Sequence, residues 1–482
     1  MNKLKTRTIC FYILIAVTVA FAWLIGSGIL LYIRGIRLTT VPAEFRTVLT
    51  AQQRNSDEYT SFPVPGLNKR ALCTYGIPLP PSIAARSAVV MDAESGSLLF
   101  EKNPDQSIPP ASLTKLVAIY TAMQAVEQGK ISLKDIITPP PKAWAVNMPP
   151  ESSLMFLGKN QQVSVEELML GMSVVSGNDA AVALAVHTAG SVSAFVNRMN
   201  ETVAALGLHD THFEDATGLS EENRTTARDF ARFSAVYIRK YPHHLKQFHS
   251  VRTLIYPQVH NMMTPQTAVR QPATNTLLDK LEGCDGIKTG FIYESGFNIA
   301  LTAQRNNTRF IAVILGGAGK NSKEGKAIRE KNGKALMDWA FSHFSTVYAR
   351  NFPLDVPAIP VIGAKERADR TALLPVLAGL NGSDAAFTIP LSGAGLEQDY
   401  AAIHSRLLLP TVLTAPITAG QKVGKVRFLK ESGGKEQLLA EFPLVADKTM
   451  EKGSDIRWKY DNLALKFFRF VRRFFKEKQG SH

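Results

Sequence analysis

Residues 109–116 read PPASLTKL. An apolar-faced helix begins directly after the two prolines: Leu113, Leu116, Val117, Tyr120 and Met123 recur at helical spacing, and Gly129 stops the run. Ser112 lies in the first turn, with Lys115 three residues on. On a helix, i and i+3 are neighbours on one face, so the amine approaches the hydroxyl. The positive end of the helix dipole favours negative charge developing there. A lysine acts as a base only once it has lost its proton, which burial and nearby positive charge promote. The plain alternative is a capping serine and a solvated lysine. Ser-x-x-Lys occurs twice in the chain; the second match, SGGK at Ser432 to Lys435, has two glycines between strand-like runs and reads as a hairpin turn.

Around this stretch, strands and helices are mixed. RSAVVMD (86–92) and SLLFEKN (97–103) read as strands joined by a turn. Ser164 and Glu167 form a capping box that opens a helix. NDAAVALAVHTAG is a second helix, from Asn178 or Asp179 to Gly190. Further helices are expected at 193–206, 226–240 and 327–343, and strands at GFNIALTAQ and TRFIAVILGG. Strands from both ends of a region with helices between them define an α/β or α+β domain. After residue 354, short alternating runs (AAFTIP, SRLLLP, KVGKVRFL, EQLLAEFPLV) separated by Gly, Pro, Ser and Asn indicate a small, mostly β domain.

The chain has 482 residues and a formal charge of +14. Much of the excess sits at the two ends. Residues 1–40 hold five basic residues and no acid, and residues 455–482 hold eight basic against three acidic. Both clusters adjoin apolar segments, a pattern that suits a membrane surface and argues against nucleic acid. Residues 10–33 form an uncharged apolar run of 24 residues, long enough to span a bilayer, with basic residues ahead of it. An uncleaved anchor is the favoured reading. A signal peptide cut near Ala20-Phe21-Ala22 is the alternative, and either one exports the body. At the other end, YDNLALKFFRFVRRFFKEKQ sets an aromatic face against a basic one, the pattern of a helix lying in the lipid interface.

The expected divisions are a transmembrane anchor or signal at 1–35, a linker at 36–80, a catalytic domain at 81–350, a β-rich domain at 351–450 and an amphipathic membrane-associating helix at 451–482. Cys10 lies in the apolar run. Whether Cys73 and Cys284 pair stays open, and no Cys/His cluster suggests a metal site.

Two further motifs change the reading of Ser112. SGND places Ser176 and Asn178 in a turn between two helices, where a hydroxyl and an amide can relay a proton and hold a substrate amide. DGIKTGF places Lys288, Thr289 and Gly290 just before a strand-like run; lysine and hydroxyl suit a carboxylate, and glycine lets a ligand's backbone come close. Each motif alone is an ordinary cap or turn. Together and in this order they match the Ser-x-x-Lys, Ser-x-Asn and Lys-Thr-Gly set of β-lactamases and penicillin-binding proteins.

Residues 82–345 thus resemble the transpeptidase-like domain of a low-molecular-mass penicillin-binding protein of the D-alanyl-D-alanine carboxypeptidase family. SSLMFL, LGLHDTHF, TTARDFA and SGFN add to the likeness. The β-rich region resembles that family's C-terminal domain and the terminal helix its membrane anchor. The resemblance implies that Ser112 is the acylated nucleophile, Lys115 the general base and Ser176 a proton-transfer residue. Asn178, Lys288, Thr289, Gly290 and Arg329 would bind substrate, and the backbone N–H groups of Ser112 and Phe291 would form an oxyanion hole. It implies no metal or organic cofactor. The expected partners are peptidoglycan stem peptides, β-lactams as covalent inhibitors, and membrane lipid. The expected location is the bacterial inner membrane, with the catalytic domain on the periplasmic face.

The family often has KTGHT; here the chain reads KTGFI, with Phe291 and Ile292. A D,D-endopeptidase or a β-lactamase of the same superfamily is the alternative enzyme, and an inactive membrane-tethered scaffold the alternative of another class.

Overall fold

A computed structural model describes residues 77–352, 354–365, 372–373, 375–377, 385–432, 435–456, 458–463 and 466, with residues 15, 17–19, 22 and 23 near the N-terminus. The chain divides into two compact units. The larger comprises Phe62–Val347 and Ala386–Asp399.

Its centre is a five-stranded antiparallel sheet made of β1 (Ala85–Asp92), β2 (Leu98–Lys102), β3 (Cys284–Ile292), β4 (Gly296–Arg305) and β5 (Thr308–Gly317), in the order β2-β1-β5-β4-β3. β5 is buried at every position, which suits the unbroken apolar run from Phe310 to Gly317. Helices α5 (Ala227–Lys240) and α6 (Ser322–His343) both pack against it. The expected start of α6 at residue 327 falls five residues late: Asn321 caps the helix by accepting the Glu324 N–H at 2.9 Å. That first turn is lysine- and glutamate-rich, so apolar periodicity does not mark it.

α1 (Thr114–Glu127) is enclosed by α2 (Val165–Val174), α3 (Asn178–Ala189) and α4 (Val192–Ala205). The sequence suggests one apolar face, yet Lys115, Ala118, Ile119, Thr121 and Ala122 are buried as well. A helix buried on all sides is a core helix, and Lys115 is thereby carried into the core. The capping box of Ser164 and Glu167 opens α2, and Gly190 closes α3 in the left-handed conformation at φ +79°.

Residues 386–399, expected in the β-rich domain, belong to the larger unit. Ala386–Pro390 pairs with Phe344–Tyr348. The buried Asp92 carboxylate at the end of β1 accepts the hydroxyls of Thr346 (2.9 Å) and Thr388 (2.6 Å). A buried carboxylate needs such donors, and they tie the three segments together.

The smaller unit holds a three-stranded and a four-stranded sheet. Lys422–Ser432 and Lys435–Ala446 pair as antiparallel strands with Ser432 opposite Lys435, so the two ends of SGGK close a hairpin whose two glycines lie outside the described residues. Val361, Leu373, Ile417, Val423 and Met450 form its core.

Of the apolar run 10–33, only Ile15, Val17, Thr18, Val19, Ala22 and Trp23 are described; they are helical and exposed. Of the terminal amphipathic stretch, residues 460–463 and 466 are described and helical; the rest lies outside the described residues, as does Cys73. Cys284 is a free, half-buried thiol. Among the described residues no single helix is long and apolar enough to cross a membrane.

Candidate active site

Ser112 does not cap a helix. It lies in the 3-10 turn Ala111–Leu113 that leads into α1, and its side chain makes no capping bond. Ala111 is held in the left-handed region at φ +52°, a conformation that costs a non-glycine residue about 1–3 kcal/mol. The surroundings enforce it. Asn298 of β4 donates to the Pro109 carbonyl at 3.0 Å. Gly290 of β3 approaches so closely that a Cβ there would lie 3.0 Å from Ser112 N and 2.9 Å from the Pro110 carbonyl. Gly218, at φ +86°, leaves less room still, since its Cβ would lie 2.0 Å from the Ala111 carbonyl.

One helical turn on, Lys115 Nζ has three partners: Ser112 Oγ at 3.0 Å, Asn178 Oδ1 at 2.6 Å and the Thr217 carbonyl at 2.6 Å. The side chain is fully buried. Burial lowers its pKa to about 7, against the opposing pull of the Asp215 and Asp179 carboxylates. A neutral amine has two hydrogens and one lone pair. Asn178 Oδ1 and the Thr217 carbonyl can only accept. Both hydrogens therefore go to them, and the lone pair faces the Ser112 hydroxyl.

Asn178 is the first residue of α3, and its N–H is held by the Ser153 carbonyl at 2.8 Å. Asp179 anchors the same loop by accepting the N–H groups of Met155 (2.8 Å) and Leu157 (2.9 Å). Ser176, at φ +62°, is buried, and its hydroxyl has no partner among the described residues.

Lys288, Thr289 and Gly290 lie inside β3, not just before a strand, and β3 is an edge of the sheet. The sequence CDGIKTGFI has two glycines and no clean alternation, which hid the strand. Lys288 is buried and donates to the Thr289 carbonyl at 2.9 Å. Burial, then the charges of Lys115 and Arg329, push its pKa well below the ordinary lysine value. Thr289 donates to the Thr274 hydroxyl at 2.9 Å, and Arg329 donates to the Thr274 carbonyl at 3.4 Å. Arg329 is buried, its pKa pushed down to about 10 by that burial, so it is still charged at neutral pH.

The ring of Phe291 stacks on Phe297 of β4 at 4.4 Å. These residues are directly opposite in the ladder. The Ile287 carbonyl, four residues earlier on β3, accepts from His249 Nδ1 outside the sheet ladder at 3.2 Å, and alternate residues of a strand present their backbone groups to the same side. The Phe291 N–H therefore faces the open edge of β3.

The structure thus joins Ser112 and Asn178 through Lys115, which bonds to both, and sets Gly290 against Ser112. Three contributors were not read from the sequence: Asp215, Thr217 and Thr274. Asp215 accepts the N–H groups of Gly218 (2.7 Å), Leu219 (3.0 Å) and Ser220 (3.1 Å), the Thr217 hydroxyl (2.9 Å) and the Asn223 amide (2.8 Å). It shapes the loop that presents the Thr217 carbonyl to Lys115. Its turn composition, DATGLS, was the available signal.

A serine in the turn that leads into a core helix, a buried lysine bonded to it and an edge strand beside both make up the arrangement expected of the penicillin-binding class. Known proteins narrow the class. The profile of D-alanyl-D-alanine carboxypeptidases, Peptidase_S11, matches residues 76–319. D-alanyl-D-alanine carboxypeptidase DacA of Haemophilus influenzae is 36% identical over 372 residues, covering 76% of this chain and 86% of that one. DacA of Escherichia coli K12 is 34% identical over 396 residues, covering 81% and 90%. The crystal structure of penicillin-binding protein 5 from Haemophilus influenzae superposes with a TM-score of 0.65 at 34% identity, covering 78% of this chain and all of that one. The chain belongs to the D-alanyl-D-alanine carboxypeptidase family, with the mixed α/β penicillin-binding-protein fold and the activity of a serine-type carboxypeptidase.

Proposed function

We propose that this carboxypeptidase works through an acyl-enzyme on Ser112. The observation that carries the reading is Lys115 Nζ, 3.0 Å from the Ser112 hydroxyl and held there by two groups that can only accept. Ser112 Oγ attacks the carbonyl between the last two D-alanines of a peptidoglycan stem peptide while its proton passes to Lys115 Nζ. The backbone N–H groups of Ser112 and Phe291 hold the oxyanion. The C–N bond then breaks, and Ser176 helps to return the proton to the leaving D-alanine amine. Water hydrolyses the acyl-enzyme. Asn178 holds the substrate amide, Thr289 and Gly290 take its backbone along the strand edge, and Lys288 and Arg329 attract its terminal carboxylate. β-Lactams acylate the same serine.

The body acts on the outer face of the bacterial inner membrane, held there by the apolar run 10–33 and the terminal amphipathic stretch. The support for this is the basic residues flanking both apolar segments.

Labelling with a fluorescent penicillin compares wild type with Ser112→Ala. Label that persists in the alanine variant sinks the acyl-enzyme assignment. Release of free D-alanine from a pentapeptide marks the carboxypeptidase; cleavage of cross-links instead would mark an endopeptidase. Fractionation of cells expressing chains that lack 1–35, 451–482 or both tests the anchors. Wild-type chain found wholly in the soluble fraction refutes them.

A further inference from the structure

Behind β3 lies a buried chain of three side chains that the reaction scheme does not use. Tyr237 of α5 has its hydroxyl 2.9 Å from His244 Nδ1 and 2.7 Å from His249 Nε2. His249 Nδ1 lies 3.2 Å from the Ile287 carbonyl of β3. All three side chains are buried. His249 closes the π-helical turn Leu245–His249, and Gly286 leaves the room: a Cβ there would lie 3.1 Å from His249 Cβ.

The Ile287 carbonyl sets the direction of the whole chain. A carbonyl only accepts, so His249 Nδ1 carries a hydrogen and donates it. Burial, reinforced by the charges of His244 and Lys288, pushes the His249 pKa down to about 3, so the ring is neutral and Nε2 is bare. Tyr237 must then donate to Nε2, and its oxygen must accept from His244 Nδ1–H. His244 Nε2 is left a bare acceptor. It is indeed the buried atom of this cluster that has no partner among the described residues.

β3 is an edge strand, and alternate residues present their backbone groups to the same side. The Ile287 carbonyl points to the open edge, where His249 caps it. Thr289 and Phe291 share that edge. We propose that His249 is a positioning residue for the reaction: its Nδ1–H bond to Ile287, oriented by Tyr237 and His244, sets the strand edge that receives the substrate. This rests on the reading of the β3 edge given above.

The test uses the full chain with His249→Leu, His249→Asn and Tyr237→Phe. Asparagine keeps a donor near the position of Nδ1; leucine does not. With a peptide ending in D-alanyl-D-alanine, the leucine variant is expected to lose about tenfold in kcat/KM, chiefly through KM, the kinetic equivalent of one hydrogen bond. The asparagine variant is expected to stay within about threefold of wild type, although both shift Tm. Wild-type kinetics in the leucine variant, or equal impairment in the two, overturns the proposal. Nitrogen-15 spectra of histidine-labelled wild type need no variant to be active. The His249 resonance, identified as the one lost in either His249 variant, is expected to show the Nδ1–H tautomer. The Nε2–H tautomer overturns the proposal. Tyr237→Phe is expected to admit the Nε2–H tautomer, and a pure Nδ1–H ring there overturns the role of the relay. Wild type that penicillin does not acylate at Ser112 refutes the site reading itself, and this inference with it. Acylated wild type with an unimpaired leucine variant refutes only the inference.

Discussion

Lys115 Nζ lies 3.0 Å from Ser112 Oγ, and its other two partners, Asn178 Oδ1 and the Thr217 carbonyl, are acceptors alone. In the proposed mechanism the pair is base and nucleophile, because those acceptors can take the two hydrogens of a neutral amine. Burial supplies the neutral amine by lowering the pKa to about 7.

Acylation should therefore rise with pH. The base is active when deprotonated, so the rate of penicillin acylation is expected to climb through a single titration near pH 7 and to level off above it. Lys115→Arg keeps the charge but cannot release a proton, and should abolish acylation. Stopped-flow measurements between pH 5 and 9 decide this; a flat or falling profile contradicts it.

Asp215 acts on that titration from a distance. Its charge raises the Lys115 pKa. Asp215→Asn should move the midpoint of acylation to lower pH. It should also cost about 1–3 kcal/mol of stability at neutral pH, because the loop loses a charged acceptor of several N–H groups. Burial alone would raise the Asp215 pKa, but hydrogen bonds from Asn223, Gly218, Thr217 and Ser220 outweigh it and leave the value lowered. The native carboxylate thus contributes stability above the unfolded-state pKa, lost as the pH falls through the folded one. Thermal unfolding of the two proteins should therefore converge in acid. A gap in Tm that persists unchanged there argues against this linkage.

Gly218→Ala tests the support beneath the nucleophile. A Cβ at 2.0 Å from the Ala111 carbonyl must displace either the 215–220 loop or the Ser112 turn. Positive φ adds about 1–3 kcal/mol of strain. We expect a folded but less stable protein whose acylation rate falls at least tenfold. Normal acylation would mean that the turn does not need this loop.

Arg329→Ala should separate binding from chemistry. Loss of a charge-assisted contact to the substrate carboxylate is worth about 2 kcal/mol, or roughly thirtyfold in KM. A peptide with a free terminal carboxylate should show that loss, and an ester depsipeptide blocked at the same carboxylate should not. Equal losses on both would make Arg329 a structural residue.

The parts of the site that share a short stretch of chain were legible before any folding. Ser112 and Lys115 are three residues apart on a helix, and the Ser176, Asn178 and Lys288–Thr289–Gly290 motifs carry their chemistry in side-chain type. Thr217 was not legible, because it contributes a main-chain carbonyl and every residue has one. Asp215 was not legible either, because Glu214, Glu221 and Glu222 beside it carry the same charge. Only the fold shows which acid is turned inward. Strand β3 was hidden by its glycines, and residues 386–399 by lying between two segments of the smaller unit, with AAFTIP sharing their alternating texture.

Hydrophobic period, caps and turn residues act over a few positions, so the order of helices and strands and the family motifs could be read along the chain. The pKa of Lys115, its hydrogen-bond partners and the direction of the His244–Tyr237–His249 chain could not. They depend on burial and on distances between residues far apart in sequence; Lys115 and Thr217 are separated by 102 positions. Those distances exist only once the core has closed around α1.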